Sequence, residues 1–128
     1  MSTYSGLSEN DSIIMELVWK LGEANNASLL RELEGEPNWT RHTVKTYLMR
    51  LVDKGLLELK QISPRKFVYY PIMTKEEFLA EEASSYLHDH FGGLTHMVAG
   101  LVDNEKITDQ EIDSLEKLIH DLKAKRQG

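Results

Sequence analysis

The chain has no cysteine among its 128 residues. That excludes disulfides and thiolate metal sites, and a cytoplasmic protein needs no such staples. No apolar run approaches the roughly 20 residues needed to cross a bilayer, and no signal peptide opens the chain. The expectation is therefore a cytoplasmic protein with no membrane partner. A nucleotide-binding glycine loop, a His-Glu-x-x-His pair and a serine nucleophile elbow are all missing. The neighbouring carboxylates Glu76-Glu77 and Glu81-Glu82 read as first-turn charges and solvated helix faces, not as acid/base pairs. His88, His90 and His96 lie close in sequence, but positions 88 and 90 point to different helix faces, and Gly92-Gly93 intervenes before His96. The chain does not read as an enzyme, and neither a cofactor nor a metal is expected.

Positive charge is also scarce overall, the net charge being −6. Its distribution matters more than its sum. Residues 9–36 carry Lys20 and Arg31 against seven acidic groups, a local −5. Residues 39–66 carry seven basic groups (Arg41, Lys45, Arg50, Lys54, Lys60, Arg65, Lys66) against Asp53 and Glu58, a local +5. Residues 74–128 return to −6. A basic segment set in an acidic chain is the footprint of a phosphate-binding surface, while the acidic remainder favours solubility and weakens indiscriminate DNA attachment.

Within that basic segment, Val44, Tyr47, Leu48, Leu51 and Val52 recur at i, i+3, i+4, i+7 and i+8, one buried face of a helix. Thr40 stands at the N-cap position and Gly55 just past the last periodic residue. Arg41, His42, Thr43, Lys45, Thr46 and Arg50 fall mostly off the stripe. Short hydroxyls and cations on the free side of a helix suit a DNA major groove. Thr43 and Thr46 are expected to touch a thymine methyl or a base edge, and Arg50 a base. Leu56–Ile62 then alternates, with Leu57, Leu59 and Gln61 on one side; Ser63-Pro64-Arg65 signals a turn; and Lys66–Pro71 reads as a second strand. Helix, glycine stop and hairpin follow in the order of a winged helix-turn-helix, with Lys60, Arg65 and Lys66 as the wing's phosphate contacts.

Ser8 with Asp11 forms a capping box before the stripe Ile14, Leu17, Val18, Leu21, which Gly22 stops. Asn25-Asn26 starts a shorter helix through Leu33, broken by Gly35 and Pro37. Trp19 and Trp39 adjoin apolar stripes and read as core or hinge aromatics. After Pro71 come three amphipathic segments. Thr74–Glu77 caps the first, whose face is Phe78, Leu79, Ala83, Tyr86 and Leu87. Leu94, Met97, Val98, Leu101 and Val102 form the second. Thr108–Glu111 caps the third, with Ile112, Leu115, Ile119 and Leu122. Such short helices can hardly bury their own faces, so Phe78, Leu79, Tyr86, Leu87, Leu94, Met97, Val98, Leu101, Ile112, Leu115 and Ile119 are expected at a homodimer interface. A dimer also suits a palindromic operator. The expected fold is mostly α with a small β-hairpin wing, a DNA-binding domain at 7–73 and a helical dimerisation domain at 74–126.

Ile14-x-x-x-x-Trp19, Asn38-Trp39-Thr40-x-x-Thr43-Val44-x-Thr46, Arg50-Leu51-x-x-Lys54-Gly55 and Phe67-x-Tyr69-Tyr70-Pro71 resemble the penicillinase repressors (BlaI and MecI), with copper-responsive CopY as a relative. The resemblance runs from about Leu7 to Leu122. It implies a homodimeric winged-helix repressor of resistance genes, sitting on dyad operators and released by proteolysis that a β-lactam sensor triggers. The family is cleaved at an Asn-Phe pair, and the matching position here is Gly100-Leu101, so the location is kept and the side chains are not. The Cys-x-Cys pair of the copper-responsive relatives is missing, which excludes copper release through thiolates. Two competing readings are a winged-helix regulator that senses a small ligand or metal directly, and a wing used for protein interaction. The first needs a pocket with convergent polar groups, which the helices from 74 onward do not show by pattern. The second would not need six cations on one surface.

Overall fold

In a computed structural model, which describes residues 6–128, six helices and one hairpin follow each other along the chain. They are α1 (Glu9–Leu21), α2 (Asn26–Glu32), α3 (Arg41–Asp53), β1 (Leu57–Ser63), β2 (Lys66–Pro71), α4 (Lys75–Phe91), α5 (Leu94–Asp103) and α6 (Asp109–Gln127). This is a mostly helical winged helix-turn-helix followed by further helices. The capping chemistry read from the sequence is in place. Ser8 N donates to Asp11 Oδ2 at 3.1 Å while Asp11 N donates to Ser8 Oγ at 3.1 Å. Thr40 caps α3, and Thr108 and Glu111 exchange the same reciprocal bonds at the start of α6. Chain direction reverses after α1 and α3 through Gly22 (φ 83°) and Gly55 (φ 79°), in the left-handed region where a side chain would be strained.

The core lies where the stripes of the first three helices meet. Ile14, Met15 and Val18 of α1, Leu29 of α2, and Val44, Leu48 and Leu51 of α3 are fully buried, joined by Leu57 of β1 and Tyr69 of β2. β1 and β2 pair antiparallel, with Leu59 opposite Tyr69 and Gln61 opposite Phe67, and the register slips between Gln61 and Ser63. A one-residue bridge adds the α1–α2 loop to the sheet: Ala24 N donates to Tyr69 O at 3.0 Å, and Tyr69 N to Ala24 O at 2.7 Å. Trp39 packs its ring against Tyr47 at 5.6 Å.

The chain divides into two compact units, the first ending at Glu82 and the second spanning Ala83–Gly128. The first turns of α4 therefore belong with the winged helix. Phe78, expected at a dimer interface, is instead 6% exposed and packs on Trp19 with ring centroids 5.3 Å apart. The Trp19 indole donates to Met73 O at 3.1 Å, and Lys75 Nζ lies 2.9 Å from Glu16 Oε2. The reason is local: the bends before α4 bring its first apolar residue back under α1, where an aromatic already waits. Leu79, next in the chain, stays exposed.

Phe78→Ala should accordingly cost about 3–5 kcal/mol of stability, the usual loss for truncating a buried phenylalanine. Leu79→Ala should stay within about 0.5 kcal/mol, as exposed positions do. Urea unfolding of the two variants, followed by tryptophan fluorescence, checks the contrast.

Candidate nucleic-acid interface

Burial of Val44, Leu48 and Leu51 fixes the rotation of α3 and so decides what it shows to solvent. Arg41, His42, Lys45, Thr46 and Met49 are all exposed. The Thr46 hydroxyl donates to His42 O at 3.0 Å. Its hydrogen is thereby committed to the backbone, which leaves the methyl group and the oxygen lone pairs for the outer face. Thr43 is half-buried at the edge, its Oγ1 2.9 Å from Thr40 Oγ1 and its backbone N–H on the same Thr40 oxygen at 3.2 Å. It serves the start of the helix as much as the surface.

Beside this face the hairpin forms the second wall of a groove of about 570 Å³. Arg41, Lys45 and Met49 line it from α3, and Leu59, Arg65, Lys66, Phe67 and Tyr69 from the hairpin. Asn25, Asn26 and Ala27 close one end. Four cations sit over an apolar floor, and no acidic residue is among the described lining residues. Tyr69 OH donates to Met49 Sδ at 3.8 Å, so the two walls touch. Arg65 and Lys66 thus join Arg41 and Lys45 on one surface. Lys60 does not join them. Alternation along a strand puts it on the other face of the hairpin, where its ammonium lies 5.2 Å from the Tyr70 ring centroid. Tyr70 itself is hydrogen-bonded to Glu23, which raises its pKa, so that outer face mixes both charges.

Arg50 also departs from expectation. Its Nε and Nη2 donate to Asp11 Oδ1 and Oδ2, both at 3.3 Å. The Asp11 side chain is wholly buried while half of Arg50 remains exposed. Burial pushes the Asp11 carboxyl up, but hydrogen bonds from Arg50 and Ser8 outweigh it, and the carboxyl ends below its ordinary range. The physical reason for the displacement is that a buried carboxylate needs a partner, and Arg50 can donate to both of its oxygens, whereas Lys54 Nζ stands 3.8 Å from one of them.

Met49, Phe67 and Asn26 line the groove although they are not among the residues expected from the sequence to contact DNA. Met49 follows Lys45 by four positions and so shares its face, a signal the sequence did contain. Phe67 is exposed on the inner face of the wing. Asn26, read only as part of a helix start, donates through Nδ2 to Arg41 O at 3.1 Å and ties α2 to the first turn of α3.

In the second unit, Tyr86, Leu94, Ile112, Leu115 and Ile119 are exposed, and Leu87, Met97, Val98 and Leu101 are half-buried. No residue from Ala83 to Gly128 is buried. An open apolar groove of about 530 Å³ runs between α5 and α6, lined by Met97, Val98, Leu101, Leu115 and Leu118 among others. Gly100 and Leu101 lie inside α5. Gly100 O accepts from Asn104 N at 3.1 Å and Nδ2 at 2.8 Å, and a Cβ at Gly100 would meet nothing within 4 Å. His90 stacks on Tyr86 with ring centroids 4.3 Å apart.

A family model described as penicillinase repressor matches residues 7–121. The chain is 26% identical over 122 residues to the penicillinase repressor of Bacillus licheniformis, covering 94% of each chain. It is 21% identical over 108 residues to the methicillin resistance regulatory protein MecI of Staphylococcus aureus, covering 84% of this chain and 87% of that one. Among solved structures, the DNA-binding domain of the repressor BlaI aligns at 28% identity with a TM-score of 0.49, covering 60% of this chain and 93% of that domain.

The state of Asp11 gives a pH dependence. A carboxyl whose folded pKa is lowered contributes its stability in full above the unfolded value of about 4, and loses it as pH falls through the folded value. Thermal unfolding of the parent and of Asp11→Asn, compared from neutral to acid pH, should show a gap at neutrality that closes as the carboxyl protonates. A gap constant across that range would contradict the assignment.

Proposed function

The chain belongs to the penicillinase repressor family, a family of DNA-binding transcriptional repressors and not of enzymes, and on that premise we propose that it works as a homodimer on palindromic operator DNA in the cytoplasm. The observation that carries the DNA half of this reading is the groove between α3 and the hairpin, with Arg41, Lys45, Arg65 and Lys66 along it and no acid among its described lining residues. Arg41, His42, Lys45 and Thr46 would face base edges in the major groove, with Thr43 at the margin. Arg65 and Lys66 would rest on phosphate. Lys60 would reach only the flank of the wing. A hairpin cation on phosphate fixes register and supplies affinity without reading sequence, whereas a base-edge contact discriminates.

The dimer half rests on the second unit, where no residue is buried and Leu94, Leu118 and Ile119 stand half exposed or more. A helical unit with no interior of its own gains stability only by covering its apolar faces, and an identical partner has the same faces to offer. Two reading heads in one dimer match the two halves of an operator. By family resemblance the regulated genes would serve β-lactam resistance, and release would come from a sensor-linked protease cutting near Gly100-Leu101. The short helix α5 supports that release step. It lies between Gly92-Gly93 and Glu105, all at positive φ, and ten-residue helices are marginal without packing, so it can open to expose its backbone. Cutting there would separate the paired heads and remove the advantage of a linked second site.

A gel-shift with the DNA upstream of the gene for this chain tests the reading at once. The parent should bind it in preference to an unrelated duplex, and Lys66→Ala should weaken all duplexes alike and lower the salt slope by about one unit. Leu115→Asp should leave the winged helix folded, run as a monomer in sedimentation, and bind the full operator more weakly. For release, mass spectrometry of the protein from β-lactam-treated cells should find fragments ending near Gly100. An intact chain alongside derepressed genes would favour a directly sensed ligand instead.

A further inference from the structure

Arg50 lies on the recognition helix, is charged and is half exposed, yet its guanidinium is turned away from the groove. We propose that Arg50 is a positioning residue: clamped on Asp11, it fixes the angle at which α3 meets DNA, and it contacts no base. The proposal rests on the DNA-binding reading above and refines it.

The clamp is one part of a polar latch between the outer edge of α3 and the start of α1. Asn10 Nδ2 donates to Tyr47 OH at 3.1 Å. Arg50 grips both Asp11 oxygens at 3.3 Å and lies 5.6 Å from the Tyr47 ring centroid. Lys54 Nζ donates to Gly6 O at 2.7 Å and stands 3.8 Å from Asp11 Oδ2. These links engage α3 from its midpoint at Tyr47 to its C-cap at Lys54, whereas Arg41 and Lys45 in its first half line the groove. The apolar stripe alone resists separation of the helices better than it resists rolling, because apolar contacts carry little direction. Directed hydrogen bonds on one edge supply the missing restraint, and recognition needs its side chains held within about 10–20°. For Arg50 to read a base it would have to leave Asp11, whose carboxylate would then be buried without its main partner. The field of the DNA phosphates would make that worse, because the abandoned group is an anion.

The test uses the full-length protein, the operator found upstream of its own gene, and a panel of that operator with each base pair replaced in turn. Asp11→Asn, Arg50→Gln, Arg50→Lys and the double Asp11→Asn/Arg50→Gln are measured at a temperature where circular dichroism shows each to be folded. Asp11→Asn keeps the shape of the side chain and its cap on Ser8, so it stays informative if an Arg50 variant unfolds. The expected result is a loss of roughly 3–30-fold for either single variant, the same on every duplex, from weakening a charged hydrogen-bonded pair. The double variant should lose no more than the worse single one, Arg50→Lys should recover part of the loss, and the pattern of base preference should superimpose on the parent's. The proposal is overturned if Arg50→Gln erases preference at one base pair that Asp11→Asn leaves intact, or if the two losses add. Unchanged affinity in the folded variants would overturn it too, since that is the behaviour of a merely structural pair. A parent with no preference for the upstream DNA would bring down the DNA-binding reading itself, and the proposal with it.

Discussion

Everything the molecule presents to a nucleic acid depends on how α3 is seated. Val44, Leu48 and Leu51 are fully buried against Ile14, Met15, Val18 and Leu29, so one side of the helix is spent on the core. Truncating any one of the large residues in that seat would leave a cavity worth a few kcal/mol, a large share of the stability of a small domain. Because the helix turns by a fixed angle per residue, this burial also determines that Arg41, His42, Lys45, Thr46 and Met49 stand outside together. Hydrophobic packing thus chooses which residues of α3 face outward, and of that group Met49 also touches the core through the Tyr69 hydroxyl.

Electrostatics then completes the surface by separation more than by quantity. The chain carries net −6, and a uniform spread of that charge would repel phosphate. Instead, the cations of α3 and the hairpin tip converge on one groove, and the acids of α4 to α6 belong to other parts of the chain. The cations of the same segment serve different ends. Arg41, Lys45, Arg65 and Lys66 line the groove; Lys60 stacks on Tyr70; Lys54 is anchored on the Gly6 carbonyl; and Arg50 neutralises a buried carboxylate. A sequence count treats these seven alike, and geometry does not.

What could be read from the sequence was local. The capping pair at Ser8 and Asp11, the cap at Thr40, and the pair at Thr108 and Glu111 are short-range chemistry, and the helices begin where those residues say. The stripe in α3 was equally legible, because a helical period needs only a dozen residues to declare itself. The place of Lys60 was half legible: if Leu57, Leu59 and Gln61 share one strand face, Lys60 must be on the other. Two features were out of reach. The Asp11–Arg50 pair joins positions 39 apart, and a capping acid looks the same whether or not it has a distant partner. Phe78 carries the right period for the face of α4, but period cannot say which neighbour a face meets. Only the fold brings Trp19, whose indole donates to a carbonyl 54 positions away, over that ring.

The most direct test of the account is an NMR titration of the protein with a duplex from the operator upstream of its own gene. Backbone shifts should concentrate at Arg41, His42, Lys45, Thr46 and Met49 and at the wing tip from Arg65 to Phe67, with α6 nearly unmoved. Shifts centred on α6, or a surface response that leaves α3 and the hairpin tip unchanged, would contradict it.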